Sequence, residues 1–175
     1  MKGRLENLLG AFVTTAADDL DRALAQAARR SGSAPAALSF LLRAPGCSIE
    51  TLRLPLGLSH SAAVRLVDRL VDDGLVVRRS GTDGRTTSLV LTASGRKRAL
   101  RVQDARALAM GQRTRRLRPT ERRQLELILE RLLAFSALDR PAAEICRLCD
   151  IEACPARRCP VTKQQLAAPA VAVRR

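Results

Sequence analysis

Tryptophan and tyrosine are absent from the 175 residues, phenylalanine occurs only three times, and His60 is the single histidine. So few rings exclude the stacking platforms on which single-stranded DNA and RNA readers rely. They also require a core that is aliphatic, and the Leu, Ala and Val content points to a helical one. The lone histidine has no nucleophile near it. A Gly-rich cofactor loop is missing, as is any pair of carboxylates in a plausible pocket, so no catalytic residue is assigned and no enzyme is expected. Long apolar runs are missing too. The opening stretch MKGRLENLLGAFVTTAADDL carries acids early and reads as neither a signal peptide nor a transmembrane helix. The chain is therefore expected in the cytoplasm, without a membrane partner, where disulfides are uncommon.

Acidic residues are scarce as well. Seventeen Asp and Glu face 31 Lys and Arg, a net charge of +14. Such an excess favours a polyanionic partner, and duplex DNA needs arginine and lysine rather than rings. Between Arg96 and Arg123 stand eleven basic residues against Asp104 and Glu121. This run is either a solvated face or, through Arg96, Lys97, Arg98 and Arg101, an extension of a phosphate-contacting surface.

Apolar residues at three- and four-residue steps predict a helix over about 4–30. Pro35 and Ser48 introduce two short helices, and Pro55 limits the second. Ser59 is a candidate N-cap for a further helix whose stripe is Ala63, Leu66, Val67, Leu70 and Val71, with Gly74 just past its end. The period then changes to that of strands. The runs LVVRRS and TTSLVLT flank GTDGR, whose Asp-Gly pair signals a hairpin turn. A long basic helix follows from Thr92 or Ala93 to about Arg116, and Pro119 opens a last amphipathic helix. The expected organisation is an N-terminal dimerisation helix (1–34), a DNA-binding module (35–94), C-terminal dimerisation helices (95–140), a cysteine-rich metal-binding tail (141–163) and a frayed end (164–175).

Helix, tight turn, second helix with small polar residues at its start, then a basic hairpin: this order is a winged helix-turn-helix. The fold class is mainly α with a small β-hairpin wing. A helix enters the major groove by its N-terminal residues, and a basic hairpin reaches phosphate or the minor groove. The stretch LSHSAAVRLVDRLVDDGLVVRRSGTDGRTTSLVLTASG resembles the core of the MarR family of transcriptional regulators. The resemblance spans about residues 5–140. Its sharp motifs are Arg65 to Arg78, Asp83-Gly84-Arg85 and Leu91-Thr92-Ala93-Ser94-Gly95.

The resemblance implies that Arg85 is the wing-tip residue of the minor groove, oriented by Asp83. It places His60, Ser61, Val64 and Arg65 at the major groove and Arg78 and Arg79 beside the backbone. Ser59 and Arg69 complete the candidate DNA-binding set. Val64 stands where the family often has a hydroxyl, and the turn RLPLGLS carries a proline the family pattern lacks. The resemblance also implies a homodimer reading the half-sites of a pseudo-palindromic operator. The apolar stripes on 4–30 and 119–139 support that independently, being too extensive to bury within one small winged module.

Four of the five cysteines crowd into the last part of the chain as Cys146-x2-Cys149-x4-Cys154-x4-Cys159-Pro160. In a cytoplasmic protein such soft ligands point to zinc or an iron–sulfur centre. Zinc sites commonly use two close pairs, whereas evenly spread thiols ending in Cys-Pro suit a [4Fe–4S] cluster. Arg147, Arg157 and Arg158 can offset the thiolate charge. The cluster is the preferred reading, with zinc as the alternative. Cys47 reads as a small buried hydrophobe.

The expected function is thus a dimeric regulator, a repressor, whose iron–sulfur cluster senses redox or iron state. One alternative is a regulator answering a small molecule, with zinc bracing the tail. Another is an electron-transfer protein or oxidoreductase built on the cysteines.

Overall fold

A computed structural model of the chain describes residues 3–80 and 87–167. It is mostly helical, with one two-stranded antiparallel hairpin. The elements are α1 (Arg4–Ala28), α2 (Ala34–Arg43), α3 (Ile49–Leu56), α4 (His60–Asp72), β1 (Val76–Ser80), β2 (Thr87–Leu91), α5 (Ala93–Thr114), α6 (Pro119–Ser136), α7 (Ala142–Ile145) and α8 (Pro160–Ala167).

Local chemistry sets the boundaries of the central module. Ser48 Oγ accepts from the Thr51 amide at 3.1 Å and starts α3. Pro55 lies buried inside α3, which runs one residue further. Gly57 then turns left-handed (φ 62°), and the Leu58 amide donates to Arg53 O at 3.1 Å, closing the turn despite the proline. Ser59 Oγ accepts from the Ala62 amide at 3.3 Å and starts α4. Beyond α4, the Leu75 amide donates to Leu70 O at 2.9 Å.

The hairpin pairs Val76 with Leu91, Arg78 with Leu89 and Ser80 with Thr87. Residues 81–86, including the expected wing tip Asp83 and Arg85, lie outside the described residues. On the far side of β2, Cys47 and Leu89 form a backbone bridge. Cys47 is half-buried against the core, as expected of a small hydrophobe.

The Leu-Thr-x-x-Gly sequence after β2 is a structural junction. Thr92 Oγ1 donates to Gly74 O at 2.7 Å and accepts from the Gly95 amide at 3.0 Å, while the Thr92 amide donates to Leu75 O at 3.0 Å. The start of α5 is thereby pressed onto the end of α4. A Cβ on Gly95 would stand 1.9 Å from Leu75 O, so no larger residue fits there without displacement.

The core gathers Leu38 and Leu41 of α2, Leu52 of α3, Val67 and Leu70 of α4, Leu89 of β2, and Ala99 and Val102 of α5. The C-terminal half of α1 joins it through Leu24 and Ala28. Elsewhere apolar residues stay uncovered. Leu5, Leu8, Leu9, Phe12 and Val13 of α1 are exposed, and so are Leu127, Ile128, Leu129, Leu132, Leu133 and Phe135 of α6. No residue of α6 is buried.

The structure corrects one expectation of disorder. Gln164 to Ala167 are not a frayed end but part of α8, which packs on α6. Gln165 Nε2 donates to Arg140 O at 3.0 Å and ties α8 back to the end of α6. Residues 168–175 lie outside the described residues.

Candidate nucleic-acid interface and thiol cluster

The inner face of α4 is pinned by Ala63, Leu66, Val67 and Leu70, all buried. Its periodicity forces the other residues outward. Ser59, His60, Ser61, Arg65 and Arg69 are exposed, and Val64 is half-exposed. The candidates from α4 and its cap therefore share one outer surface. His60 Nδ1 lies 3.6 Å from Glu50 Oε2, and Arg53 Nε donates to that same oxygen at 2.8 Å, bracing the first turn of α4 against α3. Ser59 and Ser61 hydroxyls are 3.3 Å apart.

Among the described residues neither Arg65 nor Arg69 has an ion-pair partner, which leaves both guanidinium groups to the surface. Asp68, which could have paired with them, instead takes Arg78 Nη2 at 2.6 Å. That pair fastens β1 to α4, while Arg78 and Arg79 are both exposed on the strand. Of the basic run, Arg96, Lys97 and Arg101 are exposed. Arg98 departs from the expectation: its Nη1 donates to Ala28 O at 2.9 Å, completing the C-terminus of α1. Arg113 is likewise committed to Asp19 and Thr15 O of α1.

The four clustered cysteines form a second site. Ala137, Cys159 and Val161 are buried together, with Ile145, Cys146 and Cys154 packed around them. Each of the four thiols is influenced by at least one other of the four. Among the described residues no three His, Cys, Asp or Glu side chains already stand as a metal site.

The environment polarises these thiols. The Cys146 thiol, hydrogen-bonded to Cys149, brings the latter down to about 6, helped by the nearby Arg106 and Arg43 charges against the effect of burial. Cys146 moves up correspondingly. Burial pushes Cys159 up, but hydrogen bonds from the Thr162 side chain and the Thr162 and Val161 amides at the start of α8 outweigh it, and the net direction is down. Cys154 is raised, chiefly by burial.

Two residues are not legible as neighbours of the cysteine segment in the sequence: Arg43 ends α2 and Arg106 lies on α5. Leu148, between two of the cysteines, packs against the core of the winged module. The intervening Arg147 offers its carbonyl to Arg43 Nη2 at 3.1 Å. Nothing in local periodicity joins positions more than a hundred residues apart. The only sequence signal was Leu148 itself, an apolar residue between two cysteines.

Comparison with known proteins agrees with this geometry. Residues 31–86 match the model of the MarR family. The chain is similar to a MarR-family transcriptional regulator from Silicibacter pomeroyi (26% identity, 75% of this chain and 89% of that one, TM-score 0.55). It is also similar to the Mycobacterium tuberculosis MarR family protein Rv2887 in complex with DNA (23% identity, 75% and 98%, TM-score 0.60). The same mycobacterial protein in complex with salicylic acid gives 25% identity, 75% and 97%, and a TM-score of 0.57. No curated protein matches the sequence. These matches agree in the winged helix-turn-helix fold. Among the described residues no helix is long and apolar enough to cross a membrane.

Proposed function

We propose that the chain is a MarR-family transcriptional regulator that binds double-stranded DNA sequence-specifically as a homodimer. The observation that carries this reading is α4: its inner face is locked into the core, and its outer face presents Ser59, His60, Ser61, Val64, Arg65 and Arg69 together. Side chains held this way reach base edges when the helix lies in a major groove. Arg78 and Arg79 on β1 flank the phosphate backbone, and the family resemblance assigns the minor groove to Asp83 and Arg85, which lie outside the described residues. The uncovered apolar faces of α1 and α6 are the surfaces that a second copy covers, and repression of the bound promoter is the expected output.

The test is selection of duplexes from a random pool, followed by titration across salt. A pseudo-palindromic site should emerge. Arg65→Ala should weaken it by about 1–3 kcal/mol if the side chain reads a base, or lower the salt slope by about one if it holds a phosphate. Enrichment of no sequence over the starting pool would sink the proposal. An aspartate at Ile128 should turn a dimer into a monomer in sedimentation.

The cysteine segment belongs to the same reading as a ligand set for a [4Fe–4S] cluster that reports redox or iron state. Support comes from the spacing of the four cysteines and their Cys-Pro ending, and from the packing of Cys146 and Cys154 against Cys159. Closing the pairs around one core requires side-chain rotation of the thiols, with their protons released to solvent. Iron, sulfide and zinc analysis of protein prepared without oxygen decides the metal. About four irons per chain fit the cluster, and about one zinc fits a structural brace. The second reading, a small-molecule effector, draws on the open groove between α1 and α5 lined by Gln26, Ala27, Ala105 and Leu108 and on the salicylic acid complex of the mycobacterial relative. In that case an aromatic acid shifts DNA affinity and metal loading does not.

A further inference from the structure

The arginines at the far end of α5 take no part in the reading by α4. Between Arg113 and Arg123 stand six arginines, no lysine and one acid, Glu121. The folded chain sorts them. Arg113 is committed to Asp19 and the Thr15 carbonyl. Arg118 pairs with Glu121 and Arg123 with Glu126. The Leu117 amide donates to Thr114 O at 3.0 Å, which closes a tight turn with Arg115 and Arg116 at its centre. Both are exposed, and neither has an ion-pair partner among the described residues. Arg122 Nε donates to Leu117 O at 3.3 Å and so lays a third exposed guanidinium against the same turn. Like charges crowded in this way repel one another and weaken the fold that carries them, unless a polyanion lies against them.

The turn stands far from the outer face of α4. At its start α5 joins the core on the inner side of α4, through Ala99 and Val102. It then runs antiparallel to α1, with Arg98 Nη1 on Ala28 O at one end and Arg113 Nη2 on Thr15 O at the other. At 1.5 Å per residue the turn lies about 30 Å along the helix from Arg96. It is beside the point where the uncovered half of α1, Leu5 to Val13, begins.

We propose that the Arg115–Arg116 turn is a second contact for duplex DNA, independent of sequence. One dimer then holds its operator on α4 and grips the phosphates of another duplex segment at its dimerisation end. The proposal rests on the reading of α4 only for the place of the first duplex. The planar fork of arginine matches phosphate oxygens, and such contacts carry no base information. No aromatic ring stands anywhere in residues 96–134 to stack the bases of a single strand. The turn also lacks the large apolar anchors around which protein interfaces form. Once the operator is bound, a second segment of the same DNA is present at high local concentration, so a modest grip suffices.

The experiment is capture on beads. The duplex selected by the full-length chain is immobilised and loaded with protein, and the protein retained is measured. A labelled duplex of unrelated sequence is then added at about 50 mM salt. The wild type should hold the labelled duplex and release it steeply towards about 200 mM salt, as contact with several phosphates requires. Arg115→Glu combined with Arg116→Glu should cut capture about tenfold or more, without lowering operator affinity or the melting temperature. Arg96→Ala combined with Lys97→Ala should weaken operator binding and leave capture per bound dimer unchanged. Absence of the labelled duplex from operator-bound wild type overturns the proposal. Undiminished capture by the Glu variant also overturns it, by placing the grip elsewhere. A parallel loss of operator affinity in that variant does so as well, by putting the turn on the first duplex. Capture of labelled polyglutamate in preference to duplex overturns it in favour of an acidic protein partner. If the wild type loads onto no selected duplex, the reading of α4 and the two-duplex arrangement fall together, and the loading step shows that outcome separately.

Discussion

The winged module and the cysteine segment are neighbours that reach stability by opposite routes. In the module, Leu38, Leu41, Leu52, Val67, Leu70 and Leu89 are each no more than 1% exposed. They come from α2, α3, α4 and β2, so each element closes the apolar face of the others. In the cysteine segment only Cys159 and Val161 are buried, alongside Ala137 from just beyond α6. Ala142, Ile145, Cys146 and Cys154 pack around them, partly buried. So short a segment exposes too much surface for its length to stabilise itself by apolar burial alone. The difference teaches that the module is stabilised by long-range apolar burial, whereas the cysteine segment has only a small core of its own, in which Cys159 is buried and Cys146 and Cys154 pack beside it. The same logic separates the two ends of α1, whose C-terminal half joins the core and whose N-terminal half waits for a cover.

The comparison can be broken most forcefully by truncating a core leucine. Leu52→Ala should cost about 2–5 kcal/mol of global stability in a urea titration. Val161→Ala should cost about 1–2 kcal/mol, visible as faster exchange around α8 with the global midpoint almost unmoved. Equal shifts of the midpoint would mean that the two regions unfold as one unit. Next in size is the α4–α5 junction. Gly95→Ala must displace the Leu75 carbonyl and should cost about 1–3 kcal/mol. Gly111→Ala on the same helix, where an added Cβ meets nothing within 4 Å, should be stabilising by about 0.5–1 kcal/mol. Thermal melts of the two variants compare them directly.

A smaller effect is expected from the cap of α4. Ser59→Ala should lose about 1 kcal/mol in denaturant, and it should loosen the first turn that carries His60 and Ser61. The smallest effect is a pH dependence. Arg30 reaches from the α1–α2 turn to Asp73, with Nε to Oδ2 at 2.7 Å, and its hydrogen bonds hold the Asp73 carboxyl below the usual carboxylate range. The native pKa being the lower one, the stabilisation is fully present above the ordinary carboxylate range and fades as pH falls through it. Melts of the wild type and Asp73→Asn should therefore differ slightly at neutral pH and converge in acid. A gap that widened in acid would contradict the pairing.

Much of the fold was legible before any coordinate. The helices from α1 to α6 and both strands follow from periodicity and composition, and Ser48, Ser59, Thr92 and Gly74 mark their ends by short-range hydrogen bonding and backbone conformation. Those are local signals, so a linear reading captures them. α8 escaped notice because its residues, Pro-Val-Thr-Lys-Gln-Gln-Leu-Ala, carry no apolar stripe and resemble a solvated end. What stabilises it is α6 and the Arg140 carbonyl, both outside the segment. Arg98 was misjudged for a related reason: its charge is evident in the sequence, but its commitment to the end of α1 depends on how α1 and α5 pack.

On its own, the sequence determined the succession of elements, the two faces of α4, the surplus of arginine and the spacing of the thiols, because each depends on residues a few positions apart. Tertiary structure alone decided which arginines are committed to partners, that Gly95 must be glycine against Leu75, that Arg43 meets the Arg147 carbonyl, and that Leu148 joins the core of the winged module. Those outcomes depend on the packing of helices distant in the chain, where a guanidinium has several partners within reach and only the folded arrangement selects one.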